Sequence, residues 1–372
     1  SLLTYEPSMQ SIFSKPSEGE LQQSLQDIIS DLSKLPLLLK LMSLCPLSDL
    51  ELEAILTDIR SGLLLSIHKI KGSLEVLRFQ TALALQCFTN EYIYSQTDDE
   101  TKALESLEFE IKQILSNGQQ PSPKSILCLA AYKALHEYEW CDLLNVTTPI
   151  DEVYQRQVLE PKKERLLIPD IQVFQKITNK VSSKVRKQYE ENPYPRWVDT
   201  GLRLSSASIY EIIKEVKLKL FDPKVKEIET PNILVAGCGT GQHSIGTANR
   251  FKNSQVLAID LSLSSIAYAK RKTKELGVQN IEYMQADILD LGKLNRQFDI
   301  VESVGVLHHM DDPIAGWSVL TKCLKPGGLM KLGLYSELAR QHIVTMREEI
   351  SKSGIGSSDI AMKSFRIGLI NS

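Results

Sequence analysis

The run Ile233-Leu234-Val235-Ala236 leads directly into Gly237-Cys238-Gly239-Thr240-Gly241, and a helical stretch follows from Gln242 towards Arg250. Glycines in a strand-to-helix turn admit positive φ and let a ligand approach the backbone where a Cβ would stand, while the helix start offers amide donors to an anion. A nucleotide-bearing cofactor suits such a turn. The spacing narrows the choice, because a dinucleotide fingerprint Gly-x-Gly-x-x-Gly would need glycine where Gln242 stands, and no Gly-Lys-Ser/Thr follows to hold phosphate and magnesium. Asp260 closes the next aliphatic run, where a carboxylate can accept hydrogen bonds from both hydroxyls of a ribose.

Downstream, His308-His309 follow the run Phe298 to Val301. An imidazole at the carboxyl end of a strand can act as a general base, or it can simply shape the pocket or satisfy a loop. Ser303 to Val306 occupy the segment where open α/β sheets bind ligands, so backbone contact with cofactor or acceptor is expected at Ser303. Adjacent histidines seldom face one ion, and Asp311 and Asp312 read as caps for a helix beginning at Pro313, so no metal site is expected. Tyr189, Tyr194, Arg196 and Trp197 form an aromatic and basic cluster in a proline-stiffened stretch, able to cover a cation or clamp an anion as a substrate-binding lid. The competing reading is packing between domains. Trp317 reads as a core residue.

These residues need a scaffold. The runs Ile233 to Ala236, Val256 to Ile259, Ile281 to Met284, Phe298 to Val301 and Leu329 to Leu334 alternate with helical stretches, which predicts an α/β fold with a doubly wound, mostly parallel sheet. Ser336 to Ser353 should form a further helix. Phe365 to Ile370 is the one candidate for a sixth strand, so the sheet is expected to lack its last strands and to expose an edge.

Upstream, residues 1–165 read as all-helical. Leu21, Leu25, Ile28, Ile29 and Leu32 make an amphipathic stripe ended by Pro36. Ser48 with Glu51, and Thr97 with Glu100, fit capping boxes; Gly118 supplies a left-handed stop, and Ser122-Pro123 an N-cap with first-turn proline. No period near 34 residues is visible, and no titratable cluster has catalytic spacing, so packing, acceptor recruitment or assembly is the expected role. Residues 166–230 are charged and proline-punctuated and read as linker and lid, leaving 231–372 for the cofactor-binding domain.

Composition sets the outer limits. Of 372 residues, 42% are hydrophobic and 24% charged, values that exclude wholesale disorder, and a net charge of -3 gives no global pull towards nucleic acid. Lys214, Lys217, Lys219, Lys224 and Lys226 alternate with acids as a solvated face does. Six cysteines with no Cys-x-x-Cys pair fit free thiols in a reducing cytoplasm. No apolar run approaches the roughly 18 residues that would span a bilayer, so a soluble protein is expected. The chain opens on Ser1 rather than Met, as a fragment would.

Taken together, the Val-Ala-Gly-Cys-Gly-Thr-Gly loop at 235–241, Asp260, Ala286-Asp287-Ile288 and Leu324-Lys325-Pro326-Gly327-Gly328 resemble a class I S-adenosylmethionine-dependent methyltransferase over about residues 230–335. The resemblance implies a Rossmann-like core with S-adenosylmethionine as cofactor. It further implies that Gly237, Cys238, Gly239 and Gly241 wrap the methionine part, that Asp260 and the adjoining Leu261 meet the ribose, and that Asp287 and Ile288 read the adenine. Ala236 stands where this loop usually opens with an acid. A narrower likeness, carried by 189–197, Gly305-Val306-Leu307-His308-His309-Met310 and 85–92, is to bacterial methyltransferases often fused to tetratricopeptide repeats. The implied activity is methyl transfer to an unidentified acceptor, a small molecule or a protein, with His308 or His309 as base if the acceptor is a hydroxyl or protonated amine. A catalytically degenerate binding or scaffolding module and, less well supported, a nicotinamide-dependent oxidoreductase are the alternatives.

Overall fold

The structure, a computed structural model, describes residues 24–370 apart from Glu337 and Ser357, and omits the side chains of Asp359, Ile360 and Ile370. Leu21, the first residue of the expected stripe, lies outside the described residues. The chain forms two compact units: one runs up to Pro161 and includes the residues from Glu349 onward, the other is Lys162–Glu348.

The first unit is helical. Ser24 caps α1 (Leu25–Ser33), and Pro36 opens α2 (Pro36–Leu44) at its first position, where no amide donor is needed. The expected Ser48/Glu51 box does not form. Asp49 instead caps α3 (Leu50–Leu65) by accepting the Leu52 amide at 3.1 Å, because a carboxylate one residue later meets both the free amides and the positive end of the helix dipole. α4 (Leu74–Thr89) is the central helix, with an unbroken buried stretch from Ala82 to Thr89. Thr97 and Glu100 make the full capping box of α5 (Asp98–Ser116), and Ser122 caps α6 (Pro123–Ala130). Glu100 has a second duty: its other oxygen accepts the Tyr132 hydroxyl at 2.5 Å, and the buried Arg60 guanidinium lies 3.8 Å away. α7 (Thr148–Tyr154) continues through a π-helical turn, Gln155–Leu159, into α8 (Glu160–Leu167).

The second unit is built on six parallel strands in the order β1-β4-β3-β2-β5-β6. They are β1 (Gln172–Val173), β2 (Asn232–Ala236), β3 (Gln255–Asp260), β4 (Ile281–Gln285), β5 (Phe298–Val304) and β6 (Leu324–Gly333). β2, β3 and β5 are buried on both faces, as parallel strands covered by helices must be. Ile233 and Val235 pack on one side with Ile266 and Ala269; Leu234 and Ala236 pack on the other with Leu307 and Leu320. Each fully buried aliphatic side chain contributes about 1.5 to 3 kcal/mol. Its helices are α9 (Lys180–Glu191), α10 (Ile209–Glu215), α11 (Gln242–Arg250), α12 (Leu263–Glu275), α13 (Pro313–Lys322) and most of α14 (Gln341–Lys352), while α15 (Asp359–Ile370) belongs to the first unit.

Two expectations are corrected here. Phe365 to Ile370 is not a strand but the end of α15, within the first unit: Ala361 and Phe365 are half-buried one turn apart, and Arg366 grips Glu53 with both terminal nitrogens. A short apolar run fits either period, and the helical one wins because the pattern extends upstream. The sixth strand is β1, two residues long, which pairs with β4. Trp317 is 40% exposed rather than core, since α13 turns Gly316 and Leu320 inward.

Gly241 caps α11 at φ +90°, and a Cβ there would lie 2.5 Å from the Ala269 Cβ. Gly241→Ala should destabilise the protein by about 2 kcal/mol or more in chemical denaturation. Gly246→Ala, in the same helix with open space around it, should leave stability unchanged or raise it by up to about 1 kcal/mol.

Candidate active site

The chain turns away from β2 in both directions, to β3 on one side and β5 on the other, and this switch point opens a crevice at the strands' carboxyl ends. A cavity of about 440 Å³ lies there. Beyond β2, Gly237 and Gly239 have φ of +79° and +52°. A Cβ on Gly237 would strike the Val306 side chain at 2.3 Å, so glycine is needed for the β5 loop to close against the β2 loop. A Cβ built on Gly239 would meet only the Tyr194 carbonyl, at 3.8 Å, an ordinary contact.

Asp260, at the end of β3, accepts the Gly239 amide at 2.7 Å on one oxygen and the Ser262 amide at 3.0 Å on the other. Burial pushes its carboxyl above the ordinary value, and the amides of Ser262, Gly239 and Leu261 pull it back. Beyond β4, Asp287 caps a 3₁₀ turn by accepting the Leu289 amide at 3.0 Å. Gly237, Cys238, Gly239, Asp260, Leu261, Asp287 and Ile288, scattered over three loops, all line the one cavity. Gly241 does not; it serves the contact with α12.

The other candidates divide. His309, Tyr189 and Tyr194 line the cavity, whereas His308 turns aside and packs on the Tyr335 ring, centroids 3.9 Å apart. Ser303 is 1% exposed and off the cavity, because β5 runs on to Val304 and leaves Val304, Gly305 and Val306 as the lining. Arg196 and Trp197 are not in the lining either. Trp197 is buried, donating its indole Nε1 to the Thr240 carbonyl at 3.0 Å, while Thr240 Oγ1 donates to the Pro195 carbonyl at 2.8 Å. The stretch expected to act as a lid is, at this residue, a buttress beneath the glycine loop.

Several lining residues carried no motif. Asn179, Val181, Ser182 and Val185 belong to α9 and its cap, and Glu190 of that helix accepts the amides of Leu263 and Ser264, each at 3.0 Å, at the start of α12. His243 lines the cavity beside the glycine loop and bonds Glu302. The signal was present in the sequence: His243, Thr247 and Arg250 make a polar stripe on α11 that faces the single acid of β5 beyond Asp299.

Burial lowers the pKa of both His308 and His309 below the ordinary 6.5, with His309 further lowered by Arg347 and Arg340, and His308 by His309 and Arg340. That direction favours the neutral ring, the state a base requires. In an NMR titration their ring protons should show midpoints below 6.5, and a midpoint above that value would contradict this environment.

Residues 233–328 match the family model described as a methyltransferase domain. The match and the parallel sheet together support a Rossmann-like methyltransferase core over these residues, preceded in the chain by a helical region. Among curated proteins the chain is similar to an uncharacterized protein of Synechococcus sp., 35% identical over 34% of this chain and 31% of that one. It is also similar to the ubiquinone biosynthesis O-methyltransferase of Acinetobacter baumannii, 28% identical over 31% of this chain and 48% of that one. The match thus spans about a third to a half of these relatives. Similar solved structures include an S-adenosylmethionine-dependent methyltransferase from Clostridium acetobutylicum (23% identity, 40% of this chain and 56% of that one, TM-score 0.28). Another is PKMT2 from Rickettsia typhi in complex with AdoHcy (27% identity, 36% and 26%, TM-score 0.30). Among the described residues no helix is long and apolar enough to cross a membrane, and no group of three or more His, Cys, Asp or Glu could hold a metal ion.

Proposed function

We propose that this protein transfers a methyl group from S-adenosylmethionine to a small-molecule or protein acceptor. The observation that carries the reading is one cavity uniting Gly239, Asp260 and Asp287 with His309. The residues fit the cofactor: the volume lies within the range of about 300 to 1,000 Å³ typical of small-molecule sites, Gly239 leaves the space a Cβ would fill, and the Asp260 carboxylate is held at the rim by two amides. Gly237 to Gly239 would receive its methionine part, Asp260 and Leu261 its ribose, and Asp287 with Ile288 its adenine.

When bound, the cofactor supplies an electrophilic methyl on a sulfonium, so alignment in a water-poor pocket provides most of the acceleration. Tyr189 and Tyr194 border the site, and Val304 to Val306 place the β5 loop against the glycine loop. His309 takes the acceptor's proton where that acceptor is a hydroxyl or protonated amine. Cys45, Cys87, Cys128, Cys238 and Cys323 are free thiols, which matches a cytoplasmic setting. The helical region then serves to recruit or shape the acceptor. A second reading, a binding or scaffolding module without turnover, draws on Ala236, fully buried and uncharged at the loop's opening.

Calorimetric titration with S-adenosylhomocysteine, NADH serving as control, tests the cofactor assignment. Selective binding supports it, and preference for NADH would revive the oxidoreductase alternative. Asp260→Ala should weaken S-adenosylhomocysteine binding by about 1 to 3 kcal/mol, and unchanged affinity would remove the ribose assignment. Once an acceptor is found, His309→Ala should slow turnover with cofactor affinity nearly unchanged, while His308→Ala should retain most of the rate. The reverse order would return the role to His308.

A further inference from the structure

At the glycine-loop end of the cavity the loop's own side chains offer little to recognise charge. Ala236 is buried and apolar, burial pushes the Cys238 thiol far up, and both oxygens of Asp260 already accept backbone amides. His243, the second residue of α11, lines the cavity there with its side chain 23% exposed. Its Nε2 lies 2.8 Å from Glu302 Oε2.

Glu302 is 2% exposed and shares a sheet face with Ile300 and Val304, a place where packing alone calls for an aliphatic residue. Its register partner is Val235, two residues before Gly237. Burial opposes ionisation, yet the hydrogen bonds from His243 and Thr247 outweigh it and hold the carboxyl at about 2. Arg250 stands 3.6 Å from the other oxygen. An ionised carboxylate only accepts, so Nε2 carries the proton that bonds Glu302, and in the tautomer with that single ring proton Nδ1 is an acceptor. That nitrogen has no hydrogen-bond partner among the described residues.

We infer that His243, oriented by Glu302, accepts a hydrogen bond from the α-ammonium at the amino-acid end of the bound cofactor. The inference rests on the cofactor reading above, which sets that end of the molecule against Gly237 to Gly239. Glu302 is the positioning residue: its bond fixes the ring's orientation and tautomer, and its negative charge behind the imidazole favours a cation in front.

The experiment compares three probes by calorimetry on the wild-type chain, His243→Ala and Glu302→Gln. The probes are S-adenosylhomocysteine, its analogue lacking the α-amino group, and 5′-methylthioadenosine, which has the adenosine and sulfur but no amino-acid end. His243→Ala should lose about 10-fold or more in affinity for S-adenosylhomocysteine while binding the other two within about twofold of wild type. Glu302→Gln should shift in the same direction. An equal loss for all three probes assigns the pair a purely structural role and overturns the inference, as does no loss for any. A loss shared by S-adenosylhomocysteine and its deaminated analogue, but not by methylthioadenosine, moves the contact to the carboxylate and also overturns it. A folded wild-type chain that binds none of the probes refutes the cofactor reading itself, and this inference with it.

Discussion

The carboxylate of Asp260 joins two loops that would otherwise be independent. One oxygen holds the Gly239 amide of the turn after β2, and the other holds the Ser262 amide that begins the approach to α12. The strands beneath are in parallel register, Ala236 beside Ile259 and Asp260 beside Gln285, so their carboxyl ends reach the same level. The turn's positive-φ backbone is also held at its start, where the Gly237 and Cys238 amides both donate to the Ile259 carbonyl. The positions of the glycine turn and of the start of α12 follow from this register and this bridge.

Around them the packing is layered. Helices cover both faces of β2, β3 and β5, which lets apolar strands end in a polar rim without exposing the sheet. A second layer of support reaches the glycine turn from the segment before the sheet: the Trp197 indole and the Pro195 carbonyl both bond Thr240, and the Tyr268 hydroxyl donates to the Trp197 carbonyl. Lys272 donates to the Val198 carbonyl at 2.7 Å and lies over the Trp197 ring. These contacts explain why an aromatic and basic stretch that looks exposed by composition is partly interior.

Much of this was legible in the amino-acid sequence. Strand-helix alternation announced the sheet, the glycine spacing separated one cofactor class from two others, and α11 spans the residues expected. Thr97 with Glu100 formed as a capping box because both halves are local. What escaped was non-local. Arg366, in the stretch expected as a strand, bonds Glu53 more than 300 positions away, and His308 packs on Tyr335 while His309 lines the cavity. The polar stripe His243, Thr247 and Arg250 was legible, but pairing it with Glu302 needed the placement of α11 over β5.

The roof of the cavity is held differently from its floor. α9 buries a single residue, Ser182, and is fastened at its far end where Glu190 meets the first amides of α12 and the Ser264 hydroxyl. Such a clasp depends on charge at a helix end, which salt screens and water can replace, whereas the floor depends on apolar area that water cannot satisfy. Lifting α9 would leave the sheet intact. The roof and the floor of the cavity therefore rest on different kinds of interaction, one sensitive to salt and the other to the loss of apolar contact.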